Sequence, residues 1–250
     1  MALIQASILI FCRMMAFVIL CPIFSQQNFP SLAKVVLGVA FTFLCLPAVE
    51  PLPEATTFMF AILALKEILL GMAMGYLSQL VFTGVQIAGQ MIDFQVGFSM
   101  AQAYDPTIQM NVSQYGKTYY WLAVGTFFTL NLHHRLISAL LLSFTIVPLG
   151  TVQISGTTIE GVVKLFGQMM EMALNLAAPM LIALLMVDLV LGVISRSIPQ
   201  INILMMSLSL KTAISFMIFL LLLPNAITFL SKQLPDTIKY LQEFMTSLKS

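Results

Sequence analysis

The sequence predicts an all-α integral membrane protein, and three observations carry that prediction. Of the 250 residues, 60% are apolar and 8% charged, whereas soluble domains carry about 25% charged residues. The mean hydropathy of +0.99 leaves too few polar groups to cover a soluble surface. Several apolar runs reach or approach the roughly 20 residues that a spanning helix needs, and none shows the two-residue alternation of a barrel strand. The same composition excludes disorder, because so much apolar surface cannot stay solvated. A net charge of +1 with Lys and Arg scattered singly excludes a nucleic-acid-binding surface.

The elements follow in order. Ala2 to Phe24 is apolar except for Arg13 and a few small polar residues, and it ends at Ser25-Gln26-Gln27-Asn28-Phe29-Pro30. No basic stretch precedes it, so a cleaved signal peptide is not expected. Leu32 to Val49 carries Lys34 near its start and stops in Glu50-Pro51-Leu52-Pro53-Glu54. Phe58 to Phe82 is interrupted by Lys66-Glu67. Thr118 to Pro148 holds His133-His134-Arg135 near its middle, which predicts a hairpin of two helical arms. Glu160 to Ser195 contains Pro179, and Ile201 to Leu230 carries Lys211. The tail from Ser231 to Ser250 sets Leu234, Ile238, Leu241, Phe244, Met245 and Leu248 at helical spacing, predicting a short amphipathic surface helix. Cys12, Cys21 and Cys45 lie inside apolar runs without metal-ligand spacing, so free buried thiols and no metal site are expected. No internal repeat or low-complexity linker divides the chain, which reads as one domain over 1–250. Acids and bases are about equally common in the short loops, so positive-inside counting assigns no topology.

The polar groups inside apolar runs are the informative ones. Glu67 is followed by Gly71 and Gly75, two glycines on one helical face that permit close backbone approach. Gln79, Thr83, Gln86, Gln90, Asp93 and Gly97 then succeed one another at spacings of three and four. At about 100° per residue they form one narrow stripe. Such a stripe cannot face acyl chains, where each unsatisfied group costs several kcal/mol (on the order of 2–7). It packs against helices or subunits, or it lines a conduit. A second row, Glu160, Lys164, Gln168, Glu171 and Asn175, reads either as a solvated helix end or as a patch docking a neighbouring subunit. Asp188 and Arg196 share a face with Gly192, and Pro199-Gln200 follow. Eight residues of helix separate Asp188 from Arg196 by about 12 Å, too far for an ion pair. A buried charge here is a functional hypothesis unless another helix supplies a partner.

Catalytic readings fail on spacing. His133 and His134 are adjacent, so on a helix they point about 100° apart and cannot share a metal as HExxH does. No nucleophile elbow, phosphate loop or paired intramembrane aspartate is present, so no enzyme and no cofactor are expected. Between the stripe and the next apolar run, Asp105-Pro106 breaks the helix amid mixed residues through Ser113, with Met91, Met100 and Met110 on either side. Non-helical backbone at membrane depth is tolerated only when buried in protein or facing a cavity. That loop is the candidate gate.

These residues together resemble the FliR/SctT family, the R subunits of type III protein export gates. The resemblance runs over nearly the whole chain. It begins with Arg13, Pro22-Ile23-Phe24 and Pro30, and continues through Glu67-x-x-x-Gly71-x-x-x-Gly75, Gly89-x-x-Ile92-Asp93-x-Gln95-x-Gly97 and Asp105-Pro106. Asn131-Leu132-His133-His134-Arg135-Leu136-Ile137, with Pro148-Leu149-Gly150, is closer to the flagellar than the virulence form. Ala178-Pro179, Asp188-Leu189-x-Leu191-Gly192-x-x-x-Arg196-x-x-Pro199-Gln200-x-Asn202 and Lys211 complete the pattern.

The resemblance implies bent helical hairpins, with a P-like part over about 1–155 and a Q-like part over about 156–250. It implies one copy of this chain wound with FliP-type and FliQ-type subunits into a cone-shaped gate at the bacterial inner membrane, in the flagellar basal body. FlhB-type and FlhA-type membrane subunits would adjoin it, and unfolded flagellar proteins would pass through. The loop 105–114 would be the plug, with Asp105 and Pro106 shaping it and Ile108, Met110 and Val112 sealing it. Glu67, Gly71, Gly75, Gln86, Gln90, Asp93, Gly97, Glu160, Lys164, Glu171, Asp188, Arg196, Pro199 and Gln200 would pack subunits or line the conduit. A different class of reading is a proton-coupled transporter, with Glu67, Asp93 and Asp188 titrating during transport. It would show paired broken helices in repeated halves, and the sequence carries no such repeat.

Overall fold

The computed structural model describes residues 2–25, 29–49, 56–98, 113–152, 156–197 and 203–248. Among them are eight α-helices and no strand: α1 (Ala2–Leu20), α2 (Ser31–Cys45, with a 3-10 turn at Leu46–Ala48), α3 (Thr57–Val96), α4 (Gln114–Thr129), α5 (Leu132–Ile146), α6 (Gly156–Ser197), α7 (Ile203–Gln233) and α8 (Asp236–Ser247). Four helical stretches are long and apolar enough to cross a membrane: Leu3–Leu20, Thr57–Val96, Glu160–Arg196 and Ser209–Ser247. The chain is an all-α integral membrane protein.

The apolar run ending at Phe82 and the polar stripe beyond it form one helix, α3, which continues to Val96, in keeping with the helical spacing of the stripe. Amides and Thr at three- and four-residue spacing keep helical geometry while changing what the face can touch. Gly97, with φ of 101°, accepts the backbone turn that ends α3. The hairpin expected over Thr118 to Pro148 is present, but its turn is Leu130-Asn131, with Asn131 left-handed at φ 53°. His133 and His134 therefore stand in the first turn of α5. Pro179 and Pro224 both lie inside uninterrupted helices, α6 and α7.

The chain forms two compact units that interleave along the sequence. The first comprises 1–82, 127–167 and 235–250. Its core is built on Leu9, Ile10, Met14 and Phe17 of α1, all buried. α3 lies against α1 at the two glycines. A Cβ on Gly71 would run into the Arg13 carbonyl oxygen, and one on Gly75 would stand 2.8 Å from Leu20 Cβ. α8 packs on α5 and buries Ile238, Leu241 and Met245, while Lys239 and Glu243 stay on its exposed side. The predicted amphipathic helix is thus present, with its apolar face covered by the protein's own α5.

The second unit comprises 83–126 and 168–234. Here α3 and α4 cross backbone to backbone, since a Cβ on Gly89 would collide with Gly116 Cα. α3 meets α6 at Gly84, where a Cβ would approach Met172 Cε to 2.7 Å. Tyr115, Tyr119 and Phe219 make tilted and edge-on aromatic contacts that join α4 to α7. A cavity of about 130 Å³ lies between Tyr119, Asn175, Pro179 and Asn225.

Candidate functional site

Each unit encloses a polar centre. In the first, Arg13 and Glu67 are both 0% exposed, and Arg13 Nε donates to Glu67 Oε2 at 2.5 Å. Arg13 Nη1 donates to the Ser143 and Val147 carbonyls at 3.2 and 3.1 Å, and Nη2 donates to Val147 O at 3.1 Å. The guanidinium carbon sits 4.2 Å from the Phe144 ring centroid, a cation–π position. Glu67 Oε1 accepts the Gly150 N–H at 2.9 Å. The Val147 carbonyl lies past the last helical N–H of α5, while the Ser143 carbonyl already accepts the Val147 N–H, so a cation there satisfies the first, shares the second and complements the helix dipole. A planar fork with five donors performs this role, and a lysine could not reach as many partners. Gly150 adopts φ of 76°, and a Cβ there would stand 2.7 Å from Leu63 Cδ2. One ion pair therefore ties α1, α3 and the turn after α5 together.

In the second unit, Asp93 is buried at the end of α3. It accepts hydrogen bonds from Ser113 Oγ and from the Tyr115 N–H, the latter at 3.2 Å. Ser113 Oγ in turn accepts the Gly116 N–H at 2.8 Å, the N-cap bond of α4. The Tyr115 hydroxyl lies 2.8 Å from Ser215 Oγ on α7. Two residues past Asp93, Gln95 Nε2 donates to Asp188 Oδ2 at 2.8 Å. Lys211 Nζ lies 2.8 Å from each oxygen of Asp188. The partner required for Asp188 comes from α7, whereas Arg196 on its own helix is exposed.

The other predicted residues divide by exposure. Gln79, Thr83 and Gln86 are half-buried and Gln90 is exposed. On α6, Glu160, Lys164, Glu171 and Asn175 are exposed and Gln168 is half-buried. Among the described residues, nothing lies within 4 Å of a Cβ placed on Gly161, Gly167 or Gly192. Asp105, Pro106, Ile108, Met110, Val112, Pro199 and Gln200 lie outside the described residues. Cys12, Cys21 and Cys45 are free thiols, and no cluster among the described residues could hold a metal.

Sequence reasoning singled out Glu67 and Asp93 but not Arg13, Ser113, Tyr115 or Ser215 as their partners. Arg13 carried a usable signal, being a lone cation in an apolar run that needs an acid from another run. Serines and tyrosines carried none, because their hydroxyls are ordinary in any helix.

The chain is an all-helical membrane protein whose buried charges are paired within each unit and whose row on α6 is exposed. Residues 4–236 match the model of the bacterial export proteins, family 1, and the chain belongs to that family. It is 30% identical over 222 residues to the flagellar biosynthetic protein FliR of Bacillus subtilis (strain 168), covering 87% of this chain and 86% of that protein. It is 28% identical over 238 residues to FliR of Escherichia coli (strain K12), covering 94% and 91%. Over 214 residues it is 27% identical to Yop proteins translocation protein T of Yersinia pestis, covering 84% and 82%. This is the FliR/SctT family that the residue pattern resembles, and the chain is a membrane component of bacterial protein export.

Proposed function

We propose that the chain is the non-enzymatic R-type subunit of a flagellar type III export gate, one copy assembling with FliP-type and FliQ-type subunits to form the conduit for unfolded flagellar proteins. The observation that carries this reading is the row on α6. Glu160, Lys164, Glu171 and Asn175 are exposed on a helix otherwise apolar enough to span a bilayer. Charged side chains facing hydrocarbon cost about 2.5–3.5 kcal/mol each even on the lowest scales. On a helix of 42 residues, about twice what a bilayer needs, they stand either in water beyond the membrane or against a conduit or neighbouring chains, and in the gate reading neighbouring chains cover them. In this reading residues 1–155 are the P-like part and 156–250 the Q-like part. FlhB-type and FlhA-type subunits adjoin the gate in the inner membrane of the basal body. The loop 105–114 helps close the conduit, with Ile108, Met110 and Val112 excluding water.

The test is native mass spectrometry of the tagged chain, extracted in mild detergent from cells expressing its natural operon. One copy bound to several copies of two smaller membrane proteins is the expected result. A stable monomer or homo-oligomer would overturn it in favour of a transporter. For the loop, we predict that Met110→Asp makes the assembled gate leak ions or blocks export; unchanged motility and ion tightness would remove the loop from the mechanism.

A further inference from the structure

The polar contacts of the second unit close on themselves. Asp93 on α3 holds the start of α4 through Ser113 and the Tyr115 N–H. Tyr115 holds Ser215 on α7. One turn earlier on α7, Lys211 holds Asp188 on α6. Asp188 returns to α3 through Gln95. The ring visits α3, α4, α7 and α6 and ends two residues from where it began. It has a dry side, where Asp93 is 7% and Ser215 0% exposed, and a wetter side, where the Lys211 and Asp188 side chains are 14% and 39% exposed.

Two physical properties follow. The contacts are joined through single residues and short helical stretches, Tyr115, Ser215 to Lys211 and Asp93 to Gln95, so moving one link shifts the backbone that carries the next and mutational effects cease to add. Cutting a link on the dry side also leaves a buried group without its partner, which costs more than the bond contributed. We infer that the ring acts as one latch, fixing the ends of α3 and α4 that flank residues 99–112 to the α6–α7 pair. Lys211–Asp188 is its releasable link, on the wetter side and held by opposite charges.

Hydrogen exchange on the complex purified from its natural operon tests this. The Tyr115 and Gly116 amides report the latch directly, since they donate to Asp93 and Ser113. Lys211→Met should raise their exchange roughly tenfold, the change that one charge-assisted hydrogen bond commands, although Lys211 is held by α6 and not by α4. Asp93→Ala should do the same, the double variant should not exceed the larger single effect, and Lys211→Arg should stay near the native rate. An effect of Lys211→Met confined to α6 and α7, or a double variant equal to the product of the singles, overturns the latch. Should Lys211→Met fail to assemble, Tyr115→Phe cuts the ring by one oxygen and must raise exchange around Lys211; no change there also overturns it. The consequence for transport rests on the gate reading above. Ion leak through Lys211→Met complexes in vesicles is expected if both hold, whereas raised exchange without leak supports the latch and counts against the gate.

Discussion

A guanidinium cut off from water must find its acceptors inside the protein, and Arg13 does so with one carboxylate, two helix-end carbonyls and an aromatic face. The pair it forms with Glu67 is not evidence of stability in itself, because desolvating both ions cancels much of their attraction. Breaking it is another matter. We predict that Glu67→Gln or Arg13→Met alone costs on the order of 3–5 kcal/mol, by stranding a buried charge. The double substitution Arg13→Met with Glu67→Gln should recover a large part of that loss. Thermal denaturation of the detergent-purified complex measures both, and equal losses in single and double variants would refute the pairing. Arg13→Lys should behave like a partial break, since an ammonium cannot span Glu67 and the α5 carbonyls at once. Glu67 was legible from its place in an apolar run. Its partner was not, because 54 residues separate the two and only the fold brings them together.

Helix contacts here are set by small residues more than by large ones. Gly71 and Gly75 bring α3 onto α1, and Gly89 and Gly116 bring α3 onto α4. The first pair was readable as a small-residue face, but such spacing does not name the opposing helix. The second was hidden, because its two glycines lie on different helices. Space around each glycine gives a direct prediction. Gly71→Ala should destabilise by about 1–3 kcal/mol, the range for overpacking, since its Cβ meets backbone that cannot rotate away. Gly167→Ala should be neutral or stabilising by up to about 1 kcal/mol through helix propensity, because no described residue stands near it. The same measurement separates them, and equal effects would mean that the close approach of α3 and α1 is wrong. On α8, Leu241 is fully buried while Lys239 is exposed. Leu241→Ala should therefore cost about 2–5 kcal/mol and Lys239→Ala under about 1 kcal/mol. The periodicity of the tail made this helix readable, but nothing in the tail indicated that α5 covers it.

At the scale of the whole molecule, hydropathy and charge disagree until neighbours are considered. Runs that qualify as spans carry charges at positions where lipid cannot hold them, and two solutions coexist. Arg13, Glu67, Asp93 and Asp188 find partners within the chain. The row on α6 stays exposed. The all-helical class was legible from composition alone, whereas the division of polar groups between internal centres and outer face depends on how distant helices pack. The outer face also holds Gly192, beside exposed Leu189, Val190 and Val193, with open space where a Cβ would stand. A glycine inside a helix costs about 1 kcal/mol relative to alanine, and no contact among the described residues offsets that cost. A closely approaching neighbour would. Gly192→Leu should accordingly leave the chain's accumulation in the membrane unchanged, while co-purified partner subunits fall severalfold. Quantitative mass spectrometry of affinity-purified complexes reads both quantities from one sample. Full partner recovery in that variant would show that no neighbouring chain packs closely on this face of α6.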